Sequence, residues 1–395
     1  MRVVVSSLGM ISGLGCSVPE ALDALLRERS ALTPLRYVNS KHSRLPMGEV
    51  PLSDWQLKAE LGIDSRAVIT RSALLGIMAV KECLSGLPEQ VGRTGLVSGN
   101  TVGGMEKSEV YYREFLDPTQ HEHTPYIDAH DCGACTEGIA DYFGCFDFIS
   151  SISTACSSAA NAVAMGARLI RTGRLDRVVV GGTECLSKFH INGFLSLTIL
   201  SDSPCAPFDA HRKGINLGEG AAYLMLESQE ALEQRGGKAL AVVSGYGNAC
   251  DAYPQTASSP EGEGAFLAMK EALEMSGLNP CDISYINAHG TGTINNDVSE
   301  GKAIERIFGQ ILPPVSSTKP FTGHTTSAAG TVEAVISMLA MLHGFIPANL
   351  NFKVKDPQIR FSPVEKTCTG MVLNHVLTNS FGFGGNNTSL IFSKA

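Results

Sequence analysis

Residues 152–173 read ISTACSSAANAVAMGARLIRTG. The stretch opens on β-branched and hydroxylic residues, Ile152-Ser153-Thr154, passes Cys156 and then becomes rich in alanine. Val163, Ala167 and Ile170 recur at helical spacing and mark one face of a helix. Ser157 and Ser158 stand where they can cap it. The cysteine is therefore expected at a strand-to-helix turn. There, unpaired N–H groups and the positive end of the helix dipole favour a thiolate. Such a setting lowers a cysteine pKa from its free value of about 8.5, which suits a nucleophile. A buried structural cysteine at a helix start is the competing reading, and the rest of the chain has to decide between them.

The chain has 395 residues, of which 44% are hydrophobic and 18% charged, enough for a large core or two fused units. Net charge is −8, with no basic run, so a nucleic-acid surface is not expected. Met1-Arg2 leads directly into a valine run that reads as a strand, with no signal-peptide pattern. No apolar stretch is long enough to span a bilayer. Eleven scattered cysteines fit a reducing cytoplasm. Cys132 and Cys135 form one CxxC near His121, His123 and His130, but the spacing is irregular, and a loop with incidental thiols is expected in place of a metal site.

Taken in order, the chain reads as the same series twice. VVVSSLG (residues 3–9) is a strand and turn; a long amphipathic helix is expected over Ser65–Gly86, after a mostly irregular stretch at 33–65. A strand at Thr94–Ser98 enters the Gly-rich run 99–104, and the cysteine turn, a strand at Arg177–Val180 and another at Ala221–Glu227 follow. ALAVVSG (239–245) begins a second series, with a helix at Gly262–Gly277 and a strand at Ser284–Ala288. Val315–Thr318 then leads to a helix at Ala328–Leu342, and Thr388–Phe392 is the last strand. Alternating strands and helices argue for α/β layers. Two similar halves back to back, 1–238 and 239–395, would bring equivalent loops together between them.

Three later stretches supply groups that could act on Cys156. NAHGTGT carries His289, Thr291 and Thr293, with Asp297 and Glu300 behind it. STKPFTGH carries Lys319 and His324, with Glu333 farther on. NSFGFGGNN alternates Phe381 and Phe383 with glycines, a pattern suited to a mobile gate or an oxyanion N–H loop. Either histidine alone could be structural, Lys319 could be a solvated lysine, and the two phenylalanines could be core. Read jointly, each stretch falls on a loop after a strand of the repeated series.

TACSSA, NAHGTGT, the Lys-x4-His of KPFTGH followed by AAG, and NSFGFGGNN together resemble the elongating β-ketoacyl-acyl-carrier-protein synthases of the thiolase superfamily, over essentially the whole chain. The resemblance implies a thiolase fold: two duplicated α/β halves in a five-layer αβαβα sandwich. It implies that Cys156 accepts an acyl chain, with the N–H groups of Cys156 and Phe383 as the oxyanion hole. His289 and His324 would hold the malonyl thioester, and Lys319, Asp297, Glu300 and Glu333 would form the supporting network. Phe381 and Phe383 match the gating loop, Thr291 and Thr293 the phosphopantetheine tunnel, and Val102 a residue limiting the acyl pocket. The expected partner is an acyl- or malonyl-loaded acyl carrier protein, which brings its own phosphopantetheine. The expected assembly is a homodimer, or a heterodimer with a chain-length-factor-like subunit in a polyketide or polyene pathway. No resident cofactor is expected beyond a monovalent cation near Asn287, Glu333 and Asn379.

The chain departs from that family in places. Pro254 and Thr256 replace the usual histidine-containing turn, and Thr325-Thr326-Ser327 is more polar than the usual leucine-containing form. The usual basic docking pair is missing around Val68-Ile69, and Arg66, Arg71, Arg212 and Lys213 are expected to substitute for it. A thiolase would carry a second catalytic cysteine in the last Gly-rich loop, where this chain has none.

Overall fold

In the computed structural model, which describes residues 1–87 and 92–395, the first valine run becomes β1, Val3–Ser12. Nine further strands join it in one sheet: β2 Thr94–Gly99, β3 Phe148–Ile152, β4 Arg177–Glu184, β5 Gly220–Ser228, β6 Ala241–Cys250, β7 Tyr285–Asn287, β8 Val315–Ser316, β9 His375–Phe381 and β10 Asn386–Lys394. Their order is β8-β7-β9-β10-β6-β1-β5-β4-β2-β3. β1 and β6 meet antiparallel at the centre through Val4–Val242 and Val5–Ala241. Outward from this seam one side runs β1-β5-β4-β2-β3 and the other β6-β10-β9-β7-β8, so the same order occurs twice. The pairing senses repeat as well: antiparallel among the first three strands of each side, parallel among the last three.

Six helices complete the layers: α1 Arg71–Leu84, α2 Cys132–Phe143, α3 Ser158–Arg171, α4 Glu263–Ser276, α5 Ile294–Phe308 and α6 Ala329–His343. Val163, Ala167 and Ile170 of α3 and Val332, Val335 and Leu339 of α6 share a buried core with Val178 and Val180 of β4 and with Val376 of β9. Val179 points the other way, into a core with Leu74 and Ile77 of α1 and Ile139 of α2. Leu377 joins Met269 of α4 and Ile304 of α5 on the opposite outer face. Period-two strands thus feed helices on both sides, giving five layers, α/β/α/β/α. All eight residues of β4 are buried, as a strand covered on both faces requires. The central helices approach closely: a Cβ at Gly330 would sit 2.5 Å from the Ala160 nitrogen.

Three readings of the sequence are corrected here. The helix expected over Ser65–Gly86 starts at Arg71, because Thr70 accepts from the Ala73 N–H and sets the N-terminus. The stretch expected to be irregular holds a helix, Asp54–Leu61, closed by a Ser53/Gln56 capping box. Cys132 and Cys135 lie in the first turn of α2 and not in a loop. A further helix runs over Lys188–Ser196, with the Ser187 side chain accepting from the His190 N–H at its start. Among the described residues no helix is long and apolar enough to cross a membrane, and no group of three or more His, Cys, Asp or Glu is placed to hold a metal.

Candidate active site

Cys156 lies between β3 and α3. The preceding Ala155 has φ 51°, a left-handed conformation that a residue with a Cβ adopts at a cost. Side chains hold the turn. Ser158 Oγ accepts from the Thr154 N–H at 2.9 Å and donates to the Ala155 carbonyl at 2.6 Å. Ser157 Oγ lies 2.7 Å from the Thr154 carbonyl and makes no cap bond to the helix. The two serines therefore tie the strained turn together and do not cap α3 as their spacing suggested. Ser380 of β9 donates to the Cys156 carbonyl at 2.9 Å, and the Phe383 N–H donates toward the sulfur.

The sulfur is buried and lies 2.9 Å from His324 Nε2. Burial pushes the thiol up to about 11, opposed by the Lys319 charge and the Phe383 N–H. The shift runs opposite to the expected lowering, because burial outweighs the favourable charges. An adjacent imidazole is available to take the proton instead.

His289 follows β7, and its ring centroid lies 5.4 Å from that of His324. Burial, with the Lys319 charge second, holds both imidazoles well below the usual histidine range, so both are neutral. Lys319 is buried. Its Nζ lies 3.2 Å from His289 Nδ1, donates to the His289 carbonyl and pairs with the Glu333 carboxylate. Glu300 accepts from the N–H groups of His289 and Gly290, each at 2.8 Å, and from Asn379. Asp297 accepts from the N–H groups of Gly292 and Phe208, so it braces the neighbouring loop and not the histidine side chains. Asn287 donates to the Glu333 carbonyl and Asn379 Oδ1 accepts from Ser389.

Cys156, His289 and His324 line one cavity of about 290 Å³. Thr256, Thr291 and Thr293 also line it, along with Phe381 and Phe383. Phe381 is buried against His289, whereas Phe383 is 38% exposed and stacks on Phe194 at 5.9 Å. Phe194, a cavity residue absent from the sequence-based candidates, sits on the helix Lys188–Ser196. Val102 does not line the cavity; its N–H bonds Glu184.

Of the four expected docking cations, two are structural. Arg71 is buried and paired with Glu219 and Asp54. Arg212 is buried and paired with Asp356 and Asp297. Lys213 is exposed on the cavity wall, and Arg66 is exposed elsewhere.

Comparison with known proteins agrees with this geometry. Residues 1–231 match the family model "Beta-ketoacyl synthase, N-terminal domain" and residues 240–353 match "Beta-ketoacyl synthase, C-terminal domain". The 3-oxoacyl-[acyl-carrier-protein] synthase 2 of Synechocystis is 32% identical, covering 100% of this chain and 98% of that protein. The Staphylococcus aureus protein of the same name is 29% identical over 100% of this chain and 98% of its own. A chain of the ishigamide ketosynthase/chain length factor structure superposes with a TM-score of 0.91 at 29% identity, covering 100% of this chain and 99% of its own. A chain of a Xenorhabdus doucetiae ketosynthase in complex with its chain length factor gives 0.81 at 30% identity, with 100% and 98% coverage.

Proposed function

The chain belongs to the β-ketoacyl synthase family, and from that premise we propose that it is a 3-oxoacyl-acyl-carrier-protein synthase that lengthens carrier-bound acyl chains in fatty acid elongation. It is an acyltransferase-type enzyme. The observation that carries the reading is the placement of Cys156 Sγ against a neutral His324, with the Phe383 N–H at the sulfur and His289 on the same cavity wall.

In the first half-reaction the thiol gives its proton to His324 Nε2, and the sulfur attacks the acyl thioester carbonyl. The oxyanion forms between the N–H groups of Cys156 and Phe383. Collapse expels the phosphopantetheine thiolate, which takes the proton from His324, and leaves an acyl group on Cys156. In the second half-reaction the carbonyl of a malonyl thioester accepts hydrogen bonds from the Nε2–H of His289 and of His324, the His324 ring having exchanged to its Nε2–H tautomer once the thiol is acylated. Its carboxylate leaves as CO₂, the electron pair becomes an enolate, and neutral donors stabilise that charge without protonating the carbon. The carbanion attacks the acyl-Cys156 carbonyl; a carbon–carbon bond forms, the oxyanion collapses with cleavage of the carbon–sulfur bond, and the released Cys156 thiolate takes a proton from solvent water. The phosphopantetheine comes on the carrier, and no step passes through a resident cofactor or ion.

Likeness to chains from ketosynthase/chain length factor assemblies supports a second reading, the active subunit of such a heterodimer in a polyketide or polyene pathway. Purification on a tagged copy separates the two: one band supports a homodimer, and a second chain of similar size supports the heterodimer. Incubation with acyl- and malonyl-loaded carrier, read by intact mass, tests the activity itself. A Cys156 adduct followed by a product two carbons longer supports it; no adduct with any chain length overturns it. The cytoplasm, where the thiols stay reduced, is the proposed location.

A further inference from the structure

The two halves of the oxyanion hole come from segments far apart in the chain, and one asparagine touches both. Asn386 is the first residue of β10 and closes the Gly382–Gly385 loop: its carbonyl accepts from the Gly382 N–H at 2.8 Å. Its side chain reaches the nucleophile turn. Asn386 Oδ1 lies 2.7 Å from Ser157 Oγ, 2.9 Å from Asn161 Nδ2 and 2.9 Å from Asn248 Nδ2. Asn161 Nδ2 also lies 2.9 Å from Thr154 Oγ1, and Asn161 Oδ1 accepts from Thr388 and Asn248. The turn thus held is the strained one, with Ala155 at φ 51°. The loop thus held carries Phe383, whose neighbours Gly384 and Gly385 have φ 83° and 80° and give it freedom to move.

We propose that Asn386 is a positioning residue that registers the Phe383 N–H against Cys156. It fixes the distance between the nucleophile turn and the last oxyanion donor by tying the base of the loop, where the Gly382 N–H bonds its carbonyl, to Ser157 and Asn161. The inference rests on the acyl-transfer reading above and names the residue that makes that step accurate. It touches neither substrate nor reacting atoms.

The test is Asn386→Ala, with Ser157→Ala as a second variant that cuts the same link from the other side. Three rates are read on each protein: Cys156 alkylation by iodoacetamide against pH, Cys156 acylation by acyl carrier protein, and CO₂ release from malonyl carrier protein. With the N–H no longer held at the sulfur, the alkylation midpoint moves up by about half a unit to one unit. Acylation falls about ten-fold, a fraction of what full loss of an oxyanion donor costs. CO₂ release, which depends on the histidines, stays within about two-fold, and the double variant is no worse than the worse single one. An unmoved midpoint in both variants overturns the proposal, as does an equal fall in acylation and CO₂ release. If the unaltered protein takes no acyl group, the functional reading fails, but the alkylation profile still decides the role of Asn386.

Discussion

Lys319 Nζ lies 3.2 Å from Nδ1 of His289. An ammonium has only protons to offer, so Nδ1 accepts and the ring carries its own proton on Nε2. The lysine thereby fixes the tautomer in which His289 donates. It also neutralises Glu333, which is buried with it. Lys319→Ala should strand that carboxylate and cost about 3 kcal/mol in thermal unfolding. The Lys319→Ala/Glu333→Ala double variant should lose less stability than the single lysine variant, while neither restores CO₂ release from malonyl carrier protein.

The two histidines should separate by half-reaction. His324 touches the sulfur and His289 does not. His289→Ala should leave Cys156 acylation largely intact and lower CO₂ release by about 100-fold or more. His324→Ala should depress both. Cys156→Gln should keep CO₂ release while abolishing condensation. Intact-mass acylation and a CO₂ assay on the same preparations check all three.

Glu184 is fully buried, and burial raises its carboxyl from 4.5 to about 7. A folded pKa above the unfolded one means that the folded state binds the proton more tightly. The contribution is fully present below pH 4.5 and is lost as pH rises through 7. Relative to Glu184→Gln, the unaltered protein should therefore lose about 3 kcal/mol between pH 4.5 and pH 8, read by denaturant unfolding.

Arg212 and Lys213 are neighbours with opposite fates. Arg212→Ala removes the partner of buried Asp297 and of Asp356 and should cost about 3 kcal/mol or more. Lys213→Glu should leave the unfolding temperature alone and raise KM for the carrier substrate several-fold. An unchanged KM would remove Lys213 from the docking surface.

The repeated strand order was legible because both copies keep the same punctuation, a β-branched run followed by glycine, as in VVVSSLG and AVVSG. The helix α3 was legible from Val163, Ala167 and Ile170. What failed were readings that depend on burial. Arg71 and Arg212 look like surface cations in sequence, and only the carboxylates that packing brings to them reveal their role. Cys156 has a helix start beside it, but the surrounding core decides its proton affinity. Ser157 and Ser158 sit at cap positions, and the strain at Ala155 gives them other work. Two misses had local signals. Ser53 and Gln56 spell a capping box, and Ser187 before KFHI is an N-cap that would have revealed the helix bearing Phe194. Asn386 had none: its partners lie up to 229 residues away.

The two halves of the sheet, joined where β1 pairs with β6, put Cys156 in the half made first and the groups that meet it in the half made last. Cys156 and His324 are 168 residues apart, and Ser380, which anchors the Cys156 carbonyl, is 224 residues from it. On the ribosome the thiol emerges long before any group that can use it. A chain interrupted anywhere before residue 383 lacks the Phe383 N–H that the proposed mechanism uses as its second oxyanion donor, so under that mechanism a truncated product is chemically silent as well as poorly packed. The long separation also predicts slow folding, since loop closure must precede the contacts that reward it.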